Sequence, residues 1–386
     1  MKELVAQWDK RLNWGWIGDI AKWVIEEAIA IQQIPAPTFA EERRAEYVRA
    51  QFEAMGLEAV QSDALFNVIG KLKGKQSGRP GIMISAHTDT VFAEHADLTI
   101  RQEGDLIYGP GLGDNSIGVS GMLGILRSLR QLELQPACDI WFVANTREEG
   151  LGDLGGMKAV FQQLQPDIAC VLNLEGMAFG HVYHAGIAVR RLHITAKGEG
   201  GHSWLNFGRT SAIHGIMELG AAITALRPPE APRTTYNIGI IEGGQSINTI
   251  ATEAGLWLDL RSEDSVTLGQ FEEKVRETVA RMNKASLPLA IEVVGDRPAG
   301  QIPADHVLIQ GAYAALEQVG VKGTLENGST DANIPLAAGC PAITVGVTHG
   351  GNAHRLDEYI ESKPVADGMR HLLLLTLACC DYVAAS

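Results

Sequence analysis

The sequence has little cysteine, no block of one charge sign and no uninterrupted apolar run of membrane-spanning length, and each shortage removes a class of protein. Its five cysteines, Cys138, Cys170, Cys340, Cys379 and Cys380, are odd in number, sit in apolar runs and form no C-x-x-C pair. They read as reduced packing residues, neither disulfide staples nor metal ligands. The 46 acidic and 32 basic residues give a net charge of -14 without a basic stretch, which argues against a nucleic-acid partner. The opening MKELVAQWDKRLNWGWIGD is broken by charges and lacks the apolar core of a signal peptide. No segment reaches the roughly 18 apolar residues that a bilayer span needs, so the expectation is a cytoplasmic chain without a membrane partner. Internal repeats and low-complexity tracts are absent too.

What is present suits an ordinary globular enzyme-sized chain. With 386 residues, 46% hydrophobic and 20% charged, it can bury one large core or two modest ones. Helical patterning covers 18–34 and 38–55, the second opened by Thr38 and Glu41 as a T-x-x-E capping box and closed by Gly56. Strand-like runs then alternate with helical ones: FNVIGKL at 66, GIMISA at 81, a helix from Ser116 to Leu132, CDIWFVAN at 138 and DIACVLNL at 167. That alternation indicates an α/β sheet. From about 187 the order becomes strand, helix, two strands, helix, strand, an inserted α+β (βαββαβ) unit. The α/β pattern resumes afterwards, giving segments 1–186, 187–296 and 297–386, with the outer two forming one domain.

Three core strands run straight into metal-capable residues: GIMISA into His87, CDIWFVAN into Arg147, Glu148 and Glu149, and DIACVLNL into Glu175. A fourth, PAITVGV, precedes His349 and His354. Carboxyl ends of strands in an open α/β sheet line one edge, so these side chains should converge. Imidazoles and carboxylates together suit zinc, and a pair of divalent ions needs several acids to offset its charge. Taken singly, each residue has a plainer reading. His87 could be a surface histidine, although Asp89, two positions on in an extended backbone, could orient its ring. Asp114, in GPGLGDNSIG, could simply cap the next helix. Glu175 and His354 could be polar strand ends, and His349 competes with His354. The Glu148–Glu149 doublet is one of several EE pairs, but it alone follows an apolar strand and precedes a glycine-rich turn. There one acid can bind metal while its neighbour takes a proton from a water that the cation has acidified. GPGLGD is not G-x-G-x-x-G and no lysine follows it, which disfavours a nucleotide loop. No serine has glycine at both -2 and +2, which disfavours a serine hydrolase.

The motifs AHTDTVF, GPGLGDNSIG, TREEGLGDLGG, LNLEG and NAHRLDEY, in that order and spread over nearly the whole chain, resemble the co-catalytic zinc amidohydrolases and peptidases. That family includes peptidase T, acetylornithine deacetylase, succinyl-diaminopimelate desuccinylase and the glutamate carboxypeptidases. The resemblance implies a catalytic domain with a mixed central sheet flanked by helices, and an inserted lid that mediates homodimerisation. It implies two divalent metal ions, zinc first with cobalt or manganese as alternatives. His87 and Glu175 would hold one ion and Glu149 and His354 the other, with Asp114 bridging the two and a cis Asp114–Asn115 bond expected. Glu148 would be the general base and Asp89 the support of His87. In the lid, GEGGHSW would place His202 at the oxyanion, where the plainer reading is a histidine in an exposed turn. Asn248 and Arg261 would meet the substrate, with a structural salt bridge as the other reading of Arg261. NSIGV after the bridging acid, and GSTDANIP around Asp331, lean towards peptidase T, whereas Glu175 is the acylase and carboxypeptidase residue. The expected substrate is an N-acyl amino acid or small peptide cleaved to release an amino acid with a free carboxylate. A peptidase T-like aminopeptidase and a non-catalytic metal- or ligand-binding relative are the alternatives.

Overall fold

The computed structural model describes residues 1–386. The chain divides into two compact units, one formed by Met1–Gly186 with Gln301–Ser386 and the other by Ile187–Gly300. The second junction falls slightly later than the sequence pattern suggested, because extended backbone continues past the strand Leu289–Arg297 into Gly300–Gln301.

The first unit is built on a mixed sheet. Its central strands lie in the order Glu58–Ser62, Val68–Leu72, Ile140–Asn145, Gly81–His87, Ile168–Leu174, Ala342–Val345 and His181–Gly186. The strand ending in His87 is parallel to both of its neighbours, with His87 opposite Asn145 and Ser85 opposite Asn173. Ala342–Val345 runs parallel to Ile168–Leu174, whereas Val68–Leu72 is antiparallel to Ile140–Asn145. All seven positions of Gly81–His87 are buried, as expected where helices cover both faces and a continuous apolar run is required. Four parallel strands therefore end on one edge, and the residues following them are those singled out from the sequence.

The helical opening differs from its reading in two ways. A first helix, Lys2–Arg11, precedes Ile17–Gln32; its charged residues, which hid it in the sequence, lie mostly on the outside while Val5 is buried. The capping box does not form. Helix Glu42–Ala54 has no side-chain cap, because Thr38 donates to Asp89 Oδ2 at 2.8 Å and Glu41 accepts from the Arg147 N–H at 3.1 Å. Both side chains are taken by the sheet edge. Gly56, at φ 72°, does end that helix in the left-handed region that glycine tolerates.

The C-terminal helix Val365–Ala385 corrects the reading of apolar runs: its 21 residues are long and apolar enough for a bilayer span. Here it lies in the core, with His371 and the segment Leu372–Cys380 buried and the helices Ile17–Gln32 and Val307–Gln318 packed against it.

The second unit is an antiparallel four-stranded sheet, Thr234–Gly243, Glu253–Ser262, Ala188–Lys197 and Leu289–Arg297 in spatial order. Leu192, Ile194, Leu256, Leu258 and Leu260 alternate along its strands and pack against helices Ala212–Thr224 and Ser265–Met282, the period-two pattern of a sheet covered on one face. Asp264 caps the second helix, accepting from the Thr267 N–H at 2.7 Å.

Candidate metal centre

The sheet edge gathers two imidazoles and two further carboxylates around Asp114. Asp114 Oδ1 lies 3.1 Å from His87 Nε2 and Oδ2 lies 3.2 Å from His354 Nε2, so each oxygen faces a different ring. Glu175 Oε2 is 3.5 Å from His87 Nε2, and Glu149 Oε1 is 3.1 Å from His354 Nε2. Donor atoms of His87, Asp114 and Glu149 all lie within 4.8 Å of one another. His87 and Glu149 are buried, Asp114 and Glu175 are about one-fifth exposed, and His354 is half exposed, which leaves the cluster open on one side. His349 is not among these contacts; its ring lies 5.3 Å from that of Phe179.

Each residue is held by its local chain. His87 closes its strand, and its Nδ1 is 3.1 Å from the Asp89 carbonyl oxygen. A proton on Nδ1 donated to that carbonyl leaves Nε2 with a lone pair facing Asp114 and Glu175. The Asp89 carboxylate is slightly farther from Nδ1, at 3.5 Å, and does other work: its two oxygens accept from the backbone N–H groups of Glu148 and Glu149 at 2.9 and 3.0 Å. Asp89 thus clamps the doublet, and Arg147 before it sits at φ 59°, a left-handed turn that a non-glycine residue adopts only when its surroundings hold it there. His354 is likewise left-handed, at φ 66°.

Asp114 lies in a tight segment between Gly111 and Ser116, and its bond to Asn115 is cis. Asn115 ties the segment to the Glu175 strand: its Nδ2 donates to the Leu174 carbonyl and its Oδ1 accepts from the Gly176 N–H, both at 2.8 Å. A side chain at Gly118 would collide with Asn115 Oδ1, so that position needs glycine. Glu358, fully buried, accepts from the N–H groups of Gly113 and Asp114 at 2.7 and 3.0 Å.

The electrostatics follow from crowding acids out of water. Burial, together with Asp114 and Glu148, pushes Glu175 up to about 7 against the pull of His87. Glu149 is raised by burial, with Asp114 and Glu148 adding to it against the hydrogen bond from His354. Burial would lower His87, yet Glu175, Asp114 and Asp89 carry it well above its ordinary value. Hydrogen bonds to Asp114 and Glu149 push His354 up to about 10. Asp114, despite burial, is held far below the usual carboxylate range by the two imidazoles. Carboxylates outnumber imidazoles in a poorly hydrated space, a pattern that divalent cations satisfy. The nitrogen and oxygen donors match what zinc and its neighbours accept.

Several residues of this edge escaped the sequence reading. Asn145 Nδ2 donates to Asp331 Oδ2 at 2.6 Å, and burial first, then Glu148, raises Asp331 well above the ordinary carboxylate range. Arg44, also buried, donates to the Thr88 carbonyl at 2.7 Å. Glu358 stood within a quoted motif and Asp331 within GSTDANIP, but nothing in either string marked the acid as buried.

In the second unit, His202 lies on the short strand Gly201–His202, paired with Thr249–Ile250. Its Nδ1 accepts from the N–H groups of Trp204 and Leu205 at 3.2 and 3.4 Å, which places the neutral ring's proton on Nε2 as an outward donor. Asn248 is exposed, and its Oδ1 accepts from Ser246 Oγ at 2.7 Å. Arg261 is paired with Asp259, Nε to Oδ1 at 2.7 Å, and Arg191 shares the same carboxylate at 3.1 Å.

The family model described as Peptidase family M20/M25/M40 matches residues 83–378. Acetylornithine deacetylase of Proteus mirabilis (strain HI4320) is 27% identical over 320 residues, spanning 77% of this chain and 78% of that protein. Among solved structures, aminopeptidase PepT from Bacillus cereus ATCC 10987 superposes with a TM-score of 0.74 at 20% identity, over 93% of this chain and 98% of its own. The dipeptidase Dug1p of Saccharomyces cerevisiae gives a TM-score of 0.78 at 11% identity, over 95% and 98%. At such identities these two structures establish the fold, a mixed-sheet catalytic domain with an inserted lid domain.

Proposed function

From the premise that the chain belongs to peptidase family M20/M25/M40, and is therefore a metal-dependent hydrolase of amide or peptide bonds, we propose that it cleaves an N-acyl amino acid or a small peptide, releasing an amino acid with a free carboxylate. The observation that carries this reading is Asp114, whose two oxygens face two different imidazoles, each with its own further acid. That donor set would suit two divalent ions: His87 and Glu175 would hold one and Glu149 and His354 the other, with Asp114 common to both. When bound, such ions acidify water towards a pKa of about 7 and polarise the scissile carbonyl.

The chain's own residues do the rest. Glu148, buried beside the cluster and fixed through its backbone by Asp89, takes the proton of the attacking water and delivers it to the leaving nitrogen. The C–N bond breaks, one water is consumed, and an acid and an amine leave. His202, with Nε2–H free to donate, stabilises the oxyanion. Asn248 and Arg261 bind the amino-acid end, Arg261 exchanging part of its contact with Asp259 for the substrate carboxylate. The second unit pairs two copies of the chain: its outer strand Thr234–Gly243 exposes Ile240 and Ile241 at 55% and 57%, an edge open to strand addition.

Glu148→Ala tests the mechanism. Metal content should stay near wild type while kcat falls by roughly 10³; wild-type turnover in that variant would remove Glu148 from the chemistry. A panel of N-acyl amino acids, dipeptides and carbamoyl compounds, run with zinc, cobalt and manganese, tests the substrate class. Turnover confined to peptides with a free amino terminus would favour the aminopeptidase reading, for which the NSIGV segment speaks. At most one bound ion and no turnover across the panel would favour a binding protein.

A further inference from the structure

The stretch that joins the helices Ile17–Gln32 and Glu42–Ala54 runs along the candidate metal centre. Just beyond His87, Pro37 pairs with Thr90 as a short parallel bridge. The Thr90 N–H donates to the Ala36 carbonyl at 2.9 Å, and the Thr38 N–H donates to the Thr90 carbonyl at 3.3 Å. The stretch is thus laid beside the continuation of the His87 strand, as an added strand would be.

Side chains reinforce that pairing. Thr38 Oγ1 donates to Asp89 Oδ2 at 2.8 Å, the oxygen that also accepts from the Glu149 N–H at 3.0 Å, while Asp89 Oδ1 accepts from the Glu148 N–H at 2.9 Å. Glu41 Oε1 accepts from the Arg147 N–H at 3.1 Å, and the Phe39 ring lies 5.2 Å from the Arg147 guanidinium. One short stretch therefore holds the chain after His87 and the chain before Glu148.

Arg44, in the first turn of the following helix, fastens the stretch at both ends. Its Nε and one terminal nitrogen donate to the Ile34 carbonyl at 3.0 and 2.6 Å, and the other terminal nitrogen donates to the Thr88 carbonyl at 2.7 Å. A guanidinium is a rigid planar fork, so these bonds fix the distance between Ile34 and the residue next to His87. Arg44 is 2% exposed, and Thr88, Asp89 and Glu41 no more than 1%, so a carbonyl that lost its donor there could not turn to water instead. Burial draws Arg44 down to about 10 against the pull of Asp89 and Glu41, which leaves it a cation beside two buried acids at neutral pH.

We propose that Thr38, Glu41 and Arg44 are positioning residues for the hydrolytic reaction, a clamp that fixes His87 and the Glu148–Glu149 doublet relative to one another before metal and substrate arrive. The proposal rests on the reading of His87 and Glu149 as ligands and Glu148 as base. Each of the three acts through another group: Thr38 through the Asp89 carboxylate, Arg44 through the Thr88 carbonyl and Glu41 through the Arg147 N–H.

The test uses the full chain. Thr38→Val removes the hydroxyl and nearly keeps the shape, whereas Thr38→Ser keeps the hydroxyl. Each protein is loaded with cobalt and titrated with a chelator, its thermal unfolding is followed, and kcat and KM are measured on the best substrate of the panel. Thr38→Val should bind cobalt about tenfold more weakly and lose about tenfold in kcat at a nearly constant KM, and Thr38→Ser should return both to within about twofold of wild type. Arg44→Lys, which keeps the charge without the fork, should weaken cobalt binding by about 10–100-fold. If Arg44→Lys does not fold, the two Thr38 variants decide, and the chelator titration decides even without turnover. Wild-type cobalt affinity in Thr38→Val, with only the melting temperature lowered, would make the stretch a structural support and overturn the proposal. A Thr38→Ser as weak as Thr38→Val would overturn it too, since the hydroxyl would not be the cause. A wild-type chain that holds no divalent ion would instead remove the metal reading, and the clamp with it.

Discussion

The candidate metal centre of the first unit and the proposed substrate residues of the second use similar side-chain types in opposite circumstances. His87 is 1% exposed, with fixed partners on both ring nitrogens. His202 is exposed and anchored on one ring nitrogen only, by two backbone donors. Asp114 sits between two imidazoles with its backbone N–H held by Glu358, whereas Asn248 has a single side-chain contact, to Ser246. A metal set must be fixed before the ion arrives, because each misplaced ligand weakens every other. A residue that meets a transient substrate can remain in water until used. The difference teaches that burial with full partnering marks the permanent part of such a site, and exposure with one free donor marks the part that acts on demand.

Asp114→Ala should break that contrast most severely. Removing the shared carboxylate should lower metal content below one ion per chain by elemental analysis and take hydrolysis below detection; retained metal and activity would show that the cluster does not depend on it. His202→Ala should come next. Metal content should be unchanged and kcat should fall roughly 10²–10³-fold, the usual effect of losing one oxyanion donor. An unchanged kcat would make His202 a bystander in a turn. Glu358→Ala probes the support of the first unit. It leaves the buried N–H groups of Gly113 and Asp114 without an acceptor, so metal affinity measured by competition with a chelator should weaken about 10–100-fold. Arg261→Ala should have the smallest effect, a KM about tenfold higher for substrates with a free carboxylate and a near-constant kcat. Equal kinetics with and without that carboxylate would leave Arg261 as the structural partner of Asp259 alone.

The legible parts of the molecule are those with a local signature. Apolar runs ending in His87, Glu149 and Glu175 were readable because buried parallel strands need near-continuous hydrophobic residues, and their shared edge follows from parallel direction. The inserted βαββαβ order was readable from the switch of hydrophobic period. Thr38 and Glu41 were not, since the spacing of a capping box describes only what those side chains could do locally. Asp89 and the Arg147 backbone, distant in sequence, made better partners for them. Asn145 and Arg44 carried no motif, and the motif around Asp331 did not show that it is buried. Their roles come from contacts across 186 residues in one case and 44 in another.

The cysteines show the same division. Scattered through apolar runs, they read as packing residues, and each one is part of the core or its border. The packing of the C-terminal helix, which carries Cys379 and Cys380, on the central strand Gly81–His87 joins segments more than 200 residues apart, a placement that no local pattern encodes.

The sequence by itself determined the alternation of elements, the family resemblance and the set of chemically capable residues, because period and residue type are local properties of the chain. Only the tertiary structure decided which capable residues face one another: that Asp114 stands between two imidazoles, that His354 and not His349 completes the cluster, and that Arg261 is already held by an acid. Those outcomes depend on packing between segments far apart in the chain, where a hydrogen bond goes to the nearest donor or acceptor in space, whatever its position in sequence.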